Sequence, residues 1–450
     1  MKLIGIYCAC SEYNSRISYV LDFIQNHPLH PNDSVQFVLN PQNQQPHIRI
    51  SYGRAELPMD YMIPRQELIF SNTVVSLRSL VCRPYYFDDS IVYSVEATST
   101  PQTEKALVRA GVISFDLIEA IFFHISRYEE HHCSDIDRDP WGMMWEREQL
   151  LVKSRLELVP VIDHLIVAFY RVLQFNLKDT PSTFSLSHDI DVLDKYRGIK
   201  RSLRSFTRSF LDNGFTGLYK SLKYYTSTKL NIVKDPFHSF SYLLIDKSTK
   251  PFSNKVLYLM SGGDTRHDNY YQVNDPLVAE IIRQAKAKGY DIGLHGSYNS
   301  GMKPNMLQSE KAILEHVSEE IVAYNRQHFL RFSFGMTPQI LEKSGIHTDS
   351  TLGYQRMIGF RCGTGFPYHL YSFEQERPFT FQELPMVVMD GALLNMCGEN
   401  LDQALNLLDC FHQQNQYNTH ITYNVHNTIF DPIKRDLEKM EKIYKMIVEK

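Results

Sequence analysis

Phe184-Ser185-Leu186-Ser187-His188-Asp189-Ile190-Asp191 decides how this chain is read, because a short apolar, strand-like run empties into one imidazole and two carboxylates. The arrangement recurs. Asp291-Ile292-Gly293-Leu294 runs into His295-Gly296-Ser297-Tyr298-Asn299, and Ile421-Thr422-Tyr423-Asn424-Val425 runs into His426. Three β-like segments therefore deliver metal-binding or proton-transferring groups at their C-terminal ends. In a parallel α/β barrel those ends share one face, where such folds build their active sites.

A divalent cation that activates water needs ligands of the Asp and His type and an open position for the water. Asp191 and His295 suit that role. At a strand end entering a turn Asp189 and Asp191 can face one cavity, so that Asp191 holds metal while Asp189 takes a proton. His426 can protonate a leaving group, since an imidazole titrates near neutral pH. The plainer alternatives are that Asp189 and Asp191 cap a helix beginning near Val192, and that these histidines, among 18 in the chain, are hydrogen-bonded structural residues.

At 450 residues the chain is too long for one ordinary core and favours two domains or three. A net charge of −4, from 47 Lys and Arg against 51 Asp and Glu, gives no general attraction to nucleic acid. No apolar run has the roughly 18 to 20 residues of a membrane-spanning helix. The start, Met1 to Cys10, reads as a buried strand rather than a secretory signal, since Ser11 and Glu12 interrupt it. Seven cysteines without a CxxC pair argue against a disulfide framework and a thiolate zinc site. Each reads as a small buried apolar residue in a chain of the reducing cytoplasm.

The expected architecture is α/β: a smaller mixed N-terminal domain over 1–178, then a (β/α) barrel domain over 179–450. In the first, Val74 to Val81 reads as a strand, Asp116 to Glu130 as an amphipathic helix capped by Asp116, and Leu158 to Leu173 as a second helix. Arg127-Tyr128-Glu129-Glu130 and the charged run Asp135 to Asp139 read as a solvated helix end. From Thr183 on, β-like and helical runs alternate. Val256 to Met260 is a strand. Asp275-Pro276 opens a helix that Gly289 ends, Glu310 to Tyr324 is a helix with Ile313, Leu314, Val317 and Ile321 inward, and Asp431-Pro432 starts the last helix.

Between Asp194 and Lys234 stand ten Lys or Arg (195, 197, 200, 201, 204, 208, 220, 223, 229 and 234) against Asp194 and Asp212. Leu203, Phe206, Phe210, Leu211, Leu218, Tyr219 and Leu222 are interleaved. This insertion predicts basic amphipathic helices, read either as peripheral contact with an anionic membrane or anionic glycan, or as a solvated surface.

The region from about 183 to 430 resembles the polysaccharide deacetylase, or NodB-homology, superfamily of carbohydrate esterases. That resemblance implies a distorted (β/α) barrel that removes acetyl groups with one metal ion, zinc foremost, with cobalt or nickel as alternatives. It places the base on Asp189 and metal ligands on Asp191 and His295. Arg326-Gln327-His328-Phe329-Leu330-Arg331, with Asp349-Ser350-Thr351 after it, resembles the motif whose arginine orders the base. Leu384 to Asp390 resembles the strand before the last motif, and His426 matches the acid. Ser126 to Glu130 and Gly359-Phe360-Arg361-Cys362-Gly363-Thr364 resemble a bacterial subgroup with an uncharacterised N-terminal domain. The family's second motif has two histidines four residues apart, but the later position here is Asn299, so a third ligand is expected from His328 first and His188 second. Substrate contacts are expected from His188, Ser297, Tyr298, Asn299, Arg361 and Asp390.

The implied activity is that of a metal-dependent hydrolase of carbon–nitrogen, non-peptide bonds, deacetylating a sugar or glycan precursor. It would work in the cytoplasm, or peripherally at the inner membrane face, without nucleic acid. The alternatives are a non-catalytic glycan-binding or assembly protein of surface polysaccharide biosynthesis, which Asn299 favours, and a membrane-surface scaffold using the insertion.

Overall fold

The computed structural model describes residues 2–8, 12–31, 35–42, 44–53, 58–71, 75–101, 106–246, 251–268 and 271–449. Its largest element is a nine-stranded sheet of β-rich, mostly apolar runs. In spatial order the strands are Tyr368–Ser372, Arg377–Glu383, Thr348–Asp349, Tyr324–Gln327, Asp291–Gly296, Phe252–Leu259, Thr183–Ile190, His420–Asn424 and Val388–Met389. All neighbours are parallel except the first pair. The sheet is curled but open among the described residues, so the expected barrel is a half-barrel. Its parallel strands put the C-terminal ends of eight segments, including the three quoted at the outset, along one edge.

A six-stranded sheet precedes it, in the order Val35–Leu39, Lys2–Cys8, Ile48–Tyr52, Tyr61–Ile63, Val112–Ile113, Val108–Arg109. Buried side chains of both sheets belong to one continuous hydrophobic cluster. Cys8, Cys133, Cys362 and Cys397 are buried, Cys82 is half-buried and Cys410 is exposed; Cys10 lies outside the described residues.

Several local expectations need correction. Of Val74 to Val81, Val74 lies outside the described residues, Leu77–Ser79 is a 3-10 turn, and the strand begins only at Leu80. Asp116 does cap a helix, accepting from Glu119 N, but that helix is Leu117–Ile125 and a second, Tyr128–His132, follows. The break falls at Arg127, with φ 54°. Arg127, Tyr128, Glu129 and Glu130 are all buried rather than solvated. The second helix is Val161–Val172.

The helix expected at Glu310 begins a turn earlier and spans Met306–Ser318, burying Leu307, Glu310, Leu314 and Ser318. Ile313 is exposed, and Ile321, at 81% exposure, lies past its end. Asp275 caps Pro276–Ala287 as expected, accepting from Leu277 N. The final helix is Leu437–Glu449, with Asp431 instead holding the preceding turn through Ile433 N. No helix begins near Val192; the next spans Gly198–Lys229, so neither Asp189 nor Asp191 is a cap.

Arg127 is fixed by the ionic cluster that displaced it from the helix. Its Nε donates to Glu130 Oε1 at 2.9 Å and its NH1 to the Arg361 carbonyl at 2.6 Å. Arg361 donates through Nε to Glu130 Oε1 at 3.0 Å and through NH1 to the Gly353 carbonyl at 2.7 Å. Burial pushes the Glu130 carboxyl up, but Arg361 and Arg127 outweigh it and hold the group down at about 2. Its stabilising ionised form is therefore present above the unfolded carboxylate range and lost as pH falls through about 2. Glu130→Gln removes the carboxylate that both guanidiniums share, leaving Arg127 with Glu129 at 3.2 Å and Arg361 with no carboxylate bonded to it among the described residues, and we expect about 3–5 kcal/mol of destabilisation in urea unfolding at neutral pH. A midpoint equal to that of the unsubstituted protein rules the cluster out as a structural clamp.

Candidate active site

Alternation along Thr183–Ile190 and its exit puts Ser187, Asp189 and Asp191 on one side and His188 on the other. Asp189 is buried, and both of its oxygens are occupied. Arg326 NH1 donates to Oδ1 at 2.8 Å and Asn424 Nδ2 to Oδ2 at 2.8 Å. Arg326 is itself buried and pinned, donating to Ser187 Oγ, the Ser350 carbonyl and Ser350 Oγ at 2.9 Å each. Burial pushes the Asp189 carboxyl up, but Arg326, with His295 and His426 behind it, outweighs burial and sets it below its ordinary range.

Asp191 Oδ1 is the atom on which the site turns. His295 Nε2 lies 3.1 Å from it and His328 Nε2 3.9 Å, yet this buried oxygen has no hydrogen-bond partner. Burial raises the Asp191 carboxyl, and the imidazoles of His295, His426 and His328 outweigh that and hold it well below the carboxylate range. His295 Nδ1 donates to the Arg326 carbonyl at 2.9 Å, which orients the ring with Nε2 toward Asp191. His328 Nδ1 faces Asp268 Oδ1 at 3.5 Å, a carboxylate behind an imidazole.

One donor atom from each of Asp191, His295 and His328 lies within 4.8 Å of the others. A buried carboxylate oxygen left without a donor, facing two imidazole nitrogens, fits a divalent cation of the borderline class. The surplus negative charge is evident at His295 as well. Burial pulls that imidazole down, but Asp189 and Asp191 raise it above its ordinary value, and they would attract a cation by the same means.

His426 closes the opposite side. Its Nε2 lies 3.8 Å from both Asp189 Oδ2 and Asp191 Oδ2. Asp390 grips it twice, accepting from its backbone N–H at 2.7 Å and facing Nδ1 at 2.7 Å. Burial pulls the imidazole down, but Asp390, joined by Asp191 and Asp189, raises it to about 10.

The remaining expected site residues are placed elsewhere or used differently. His188 is buried on the far face, with Nδ1 on the Val425 carbonyl at 2.9 Å and its ring beside Tyr290, and that placement keeps it out of the Asp191 cluster; burial lowers it to about 4. Asn299 turns outward to Asp264 and Arg331, which occupy its amide. Ser297 is buried against Glu310. Arg361 belongs to the Glu130 cluster, and Asp390 holds His426 instead of a substrate. Tyr298 stays at the rim, stacked on His267 with centroids 4.9 Å apart.

Reading the sequence missed Asp268, Asn424 and Ser350. Asn424 stands two residues before His426 and shares its face by alternation. Asp268 follows the strand Phe252–Leu259 across Gly262-Gly263, where φ is 125° at Gly263 and a Cβ would lie 2.3 Å from that of Asp268. The glycine pair is the signal of the tight loop that carries it.

Behind His328 the backbone is left-handed at two successive residues, Phe329 (φ 57°) and Leu330 (φ 50°). Gln355 Nε2 donates to the Phe329 carbonyl, and Glu146 in turn accepts from the backbone N–H groups of Gln355 and Arg356. Glu146 also lines, with Trp145, Arg356 and Asn395, a cavity of about 310 Å³.

Residues 6–178 match a "Family of unknown function (DUF7033)". No curated protein matches the chain. Among solved structures it is similar to a CE4 family pseudoenzyme from Bacillus anthracis, at 8% identity and TM-score 0.27, over 61% of this chain and 65% of that one. It is similar to a polysaccharide deacetylase from Bacillus cereus, at 8% identity and TM-score 0.27, over 60% of this chain and 86% of that one. A GH57 branching enzyme from the archaeon Thermococcus kodakaraensis matches at 8% identity and TM-score 0.31, over 60% of this chain and 68% of that one. The chain thus spans 65% of the pseudoenzyme's length.

The hold of Asp390 on His426 has a measurable sign. An imidazole raised from 6.5 to about 10 contributes stability that is complete below the unfolded value and lost as pH rises through the folded one. Asp390→Asn should move the His426 titration, followed by NMR of the ring, down toward the ordinary imidazole value. An unmoved midpoint refutes Asp390 as the cause.

Proposed function

We propose that this protein is a metal-dependent hydrolase that removes an acetyl group from a sugar or glycan precursor. The observation that carries the reading is the convergence of Asp191 Oδ1, His295 Nε2 and His328 Nε2, between a carboxylate held by arginine and an imidazole held by a carboxylate. A divalent cation in that pocket, zinc by the donor set, supplies a Lewis acid for the acyl carbonyl and lowers the pKa of water there.

The chain's own residues supply the proton traffic. Asp189, kept ionised by Arg326 and Asn424, takes the proton of the attacking water. Arg326 bonds only to other residues of the site and is a positioning residue. His426, kept protonated by Asp390, gives its proton to the departing amine or alkoxide. Base and acid thus stand in opposite protonation states at neutral pH, with pKa values pushed apart by their own partners. With His328 at the cluster, Asn299 is not needed as a ligand.

Metal content and turnover of a panel of acetylated sugars and nucleotide sugars test the proposal. Purified unsubstituted protein should hold one zinc, cobalt or nickel, and Asp191→Ala or His328→Ala should lose it with the fold intact by circular dichroism. Asp189→Asn should keep the metal and lose roughly 10²–10⁴-fold in kcat. Unchanged metal content in Asp191→Ala contradicts the site. Glycan binding without bound metal or turnover in the unsubstituted protein replaces the hydrolase with a binding protein.

A further inference from the structure

The basic insertion folds as a helical hairpin turned inside out. Gly198–Lys229 breaks at Asn213 and Gly214, where φ is 61° and ψ −150° at the glycine, and the second arm returns along the first. Tyr196 OH donates to the Ser221 carbonyl at 3.0 Å, Phe206 meets Tyr225 with centroids 5.3 Å apart, and Phe210 meets Phe215 at 5.2 Å near the turn. The fully buried positions of the seam are small residues, Ser202, Ser209, Gly217 and Ser221, beside the half-buried pair Phe206 and Tyr225. A Cβ on Gly217 would lie 2.2 Å from the Ser209 carbonyl oxygen, so the arms approach backbone to backbone.

With small residues at the fully buried positions, the large apolar side chains point out. Leu211 is 73% exposed, Phe215 81% and Tyr219 68%, and Leu203, Phe210 and Leu222 are exposed too. Arg204, Arg208, Lys220 and Lys223 stand on the same two arms. Near the first arm lies a cavity of about 340 Å³ lined by Arg201, Arg204, Arg208 and Lys434, with Asp212 and Asp431. Among the described residues no helix is long and apolar enough to cross a membrane. An exposed apolar tip with cations on both arms, of which Arg208 is paired with Asp212 at 3.0 Å, suits the interfacial zone of an anionic bilayer, where aromatic and leucine side chains enter the acyl boundary while lysine and arginine meet phosphate. A nucleic acid would use the cations but leave the apolar tip in water.

We infer that the hairpin Gly198–Lys229 docks the protein on anionic phospholipid membranes, through Leu211, Phe215 and Tyr219 at its tip and the surrounding arginines and lysines. The inference stands apart from the hydrolase reading. The hairpin leaves the sheet just after Asp191, its root tied down by Asp194 to His238 and by Lys195 to Asp431, so a docked tip tethers the candidate site one helical arm, ~20 Å, from the bilayer.

Co-sedimentation of the full chain with phosphatidylcholine vesicles, and with phosphatidylcholine–phosphatidylglycerol vesicles, tests it. We expect binding to the mixed vesicles alone, falling with added salt, and reduced roughly tenfold or more by the double substitution Leu211→Glu, Phe215→Glu. Both side chains are exposed, so the variant should fold as before, with metal content and circular dichroism unchanged. Equal binding to both vesicle types, absence of vesicle binding, or binding indifferent to the double substitution overturns the inference. So does a Phe215-dependent dimer in analytical ultracentrifugation that binds no vesicles.

Discussion

Two carboxylates on one side of a strand and its exit, Asp189 buried and Asp191 half-buried, set the terms for everything around them. Taking such groups out of water costs about several kcal/mol each unless charge is returned to them. The fold returns it unequally. Asp189 receives a guanidinium on one oxygen and an amide on the other, and each oxygen keeps a further lone pair. Asp191 receives only imidazoles at its edge and keeps one oxygen unsatisfied. That asymmetry, more than the identity of either residue, separates a group suited to take a proton from one suited to hold a cation.

His426 is set apart from Asp189 in the same way. His426 Nε2 and Asp189 Oδ2 lie 3.8 Å apart and each favours the other's charged form; a second carboxylate behind the imidazole and a guanidinium behind the carboxylate add to that and keep both charged. The supporting groups come from five different segments of the sheet, each delivering its residue at a strand end. The parallel topology is what makes one strand's outlet the neighbour of the next.

The strand ends were legible because β-like runs ending in Asp or His are local patterns, and their convergence follows from parallel pairing. Asp189, Asp191, His295, Arg326 and His426 were placed in one region on those grounds and by motif resemblance. His188, Asn299 and Arg361 were misjudged because side-chain direction and long-range partners are not local. The parity of the strand turns His188 away, Asp264 and Arg331 capture Asn299, and Glu130, far away in sequence, claims Arg361. Arg127 to Glu130 looked like a wet helix end because charge alone was visible; a cluster that neutralises itself internally can be buried.

The path from Glu146 through Gln355 to the Phe329 carbonyl ties a loop of the N-terminal half to the residue next to His328. The two left-handed residues there cost of order 1–3 kcal/mol each and persist only while something outside the loop restrains them. The N-terminal half is therefore mechanically part of the centre. A chain trimmed to the second sheet would keep every chemically active side chain yet relax the arm that presents the third imidazole.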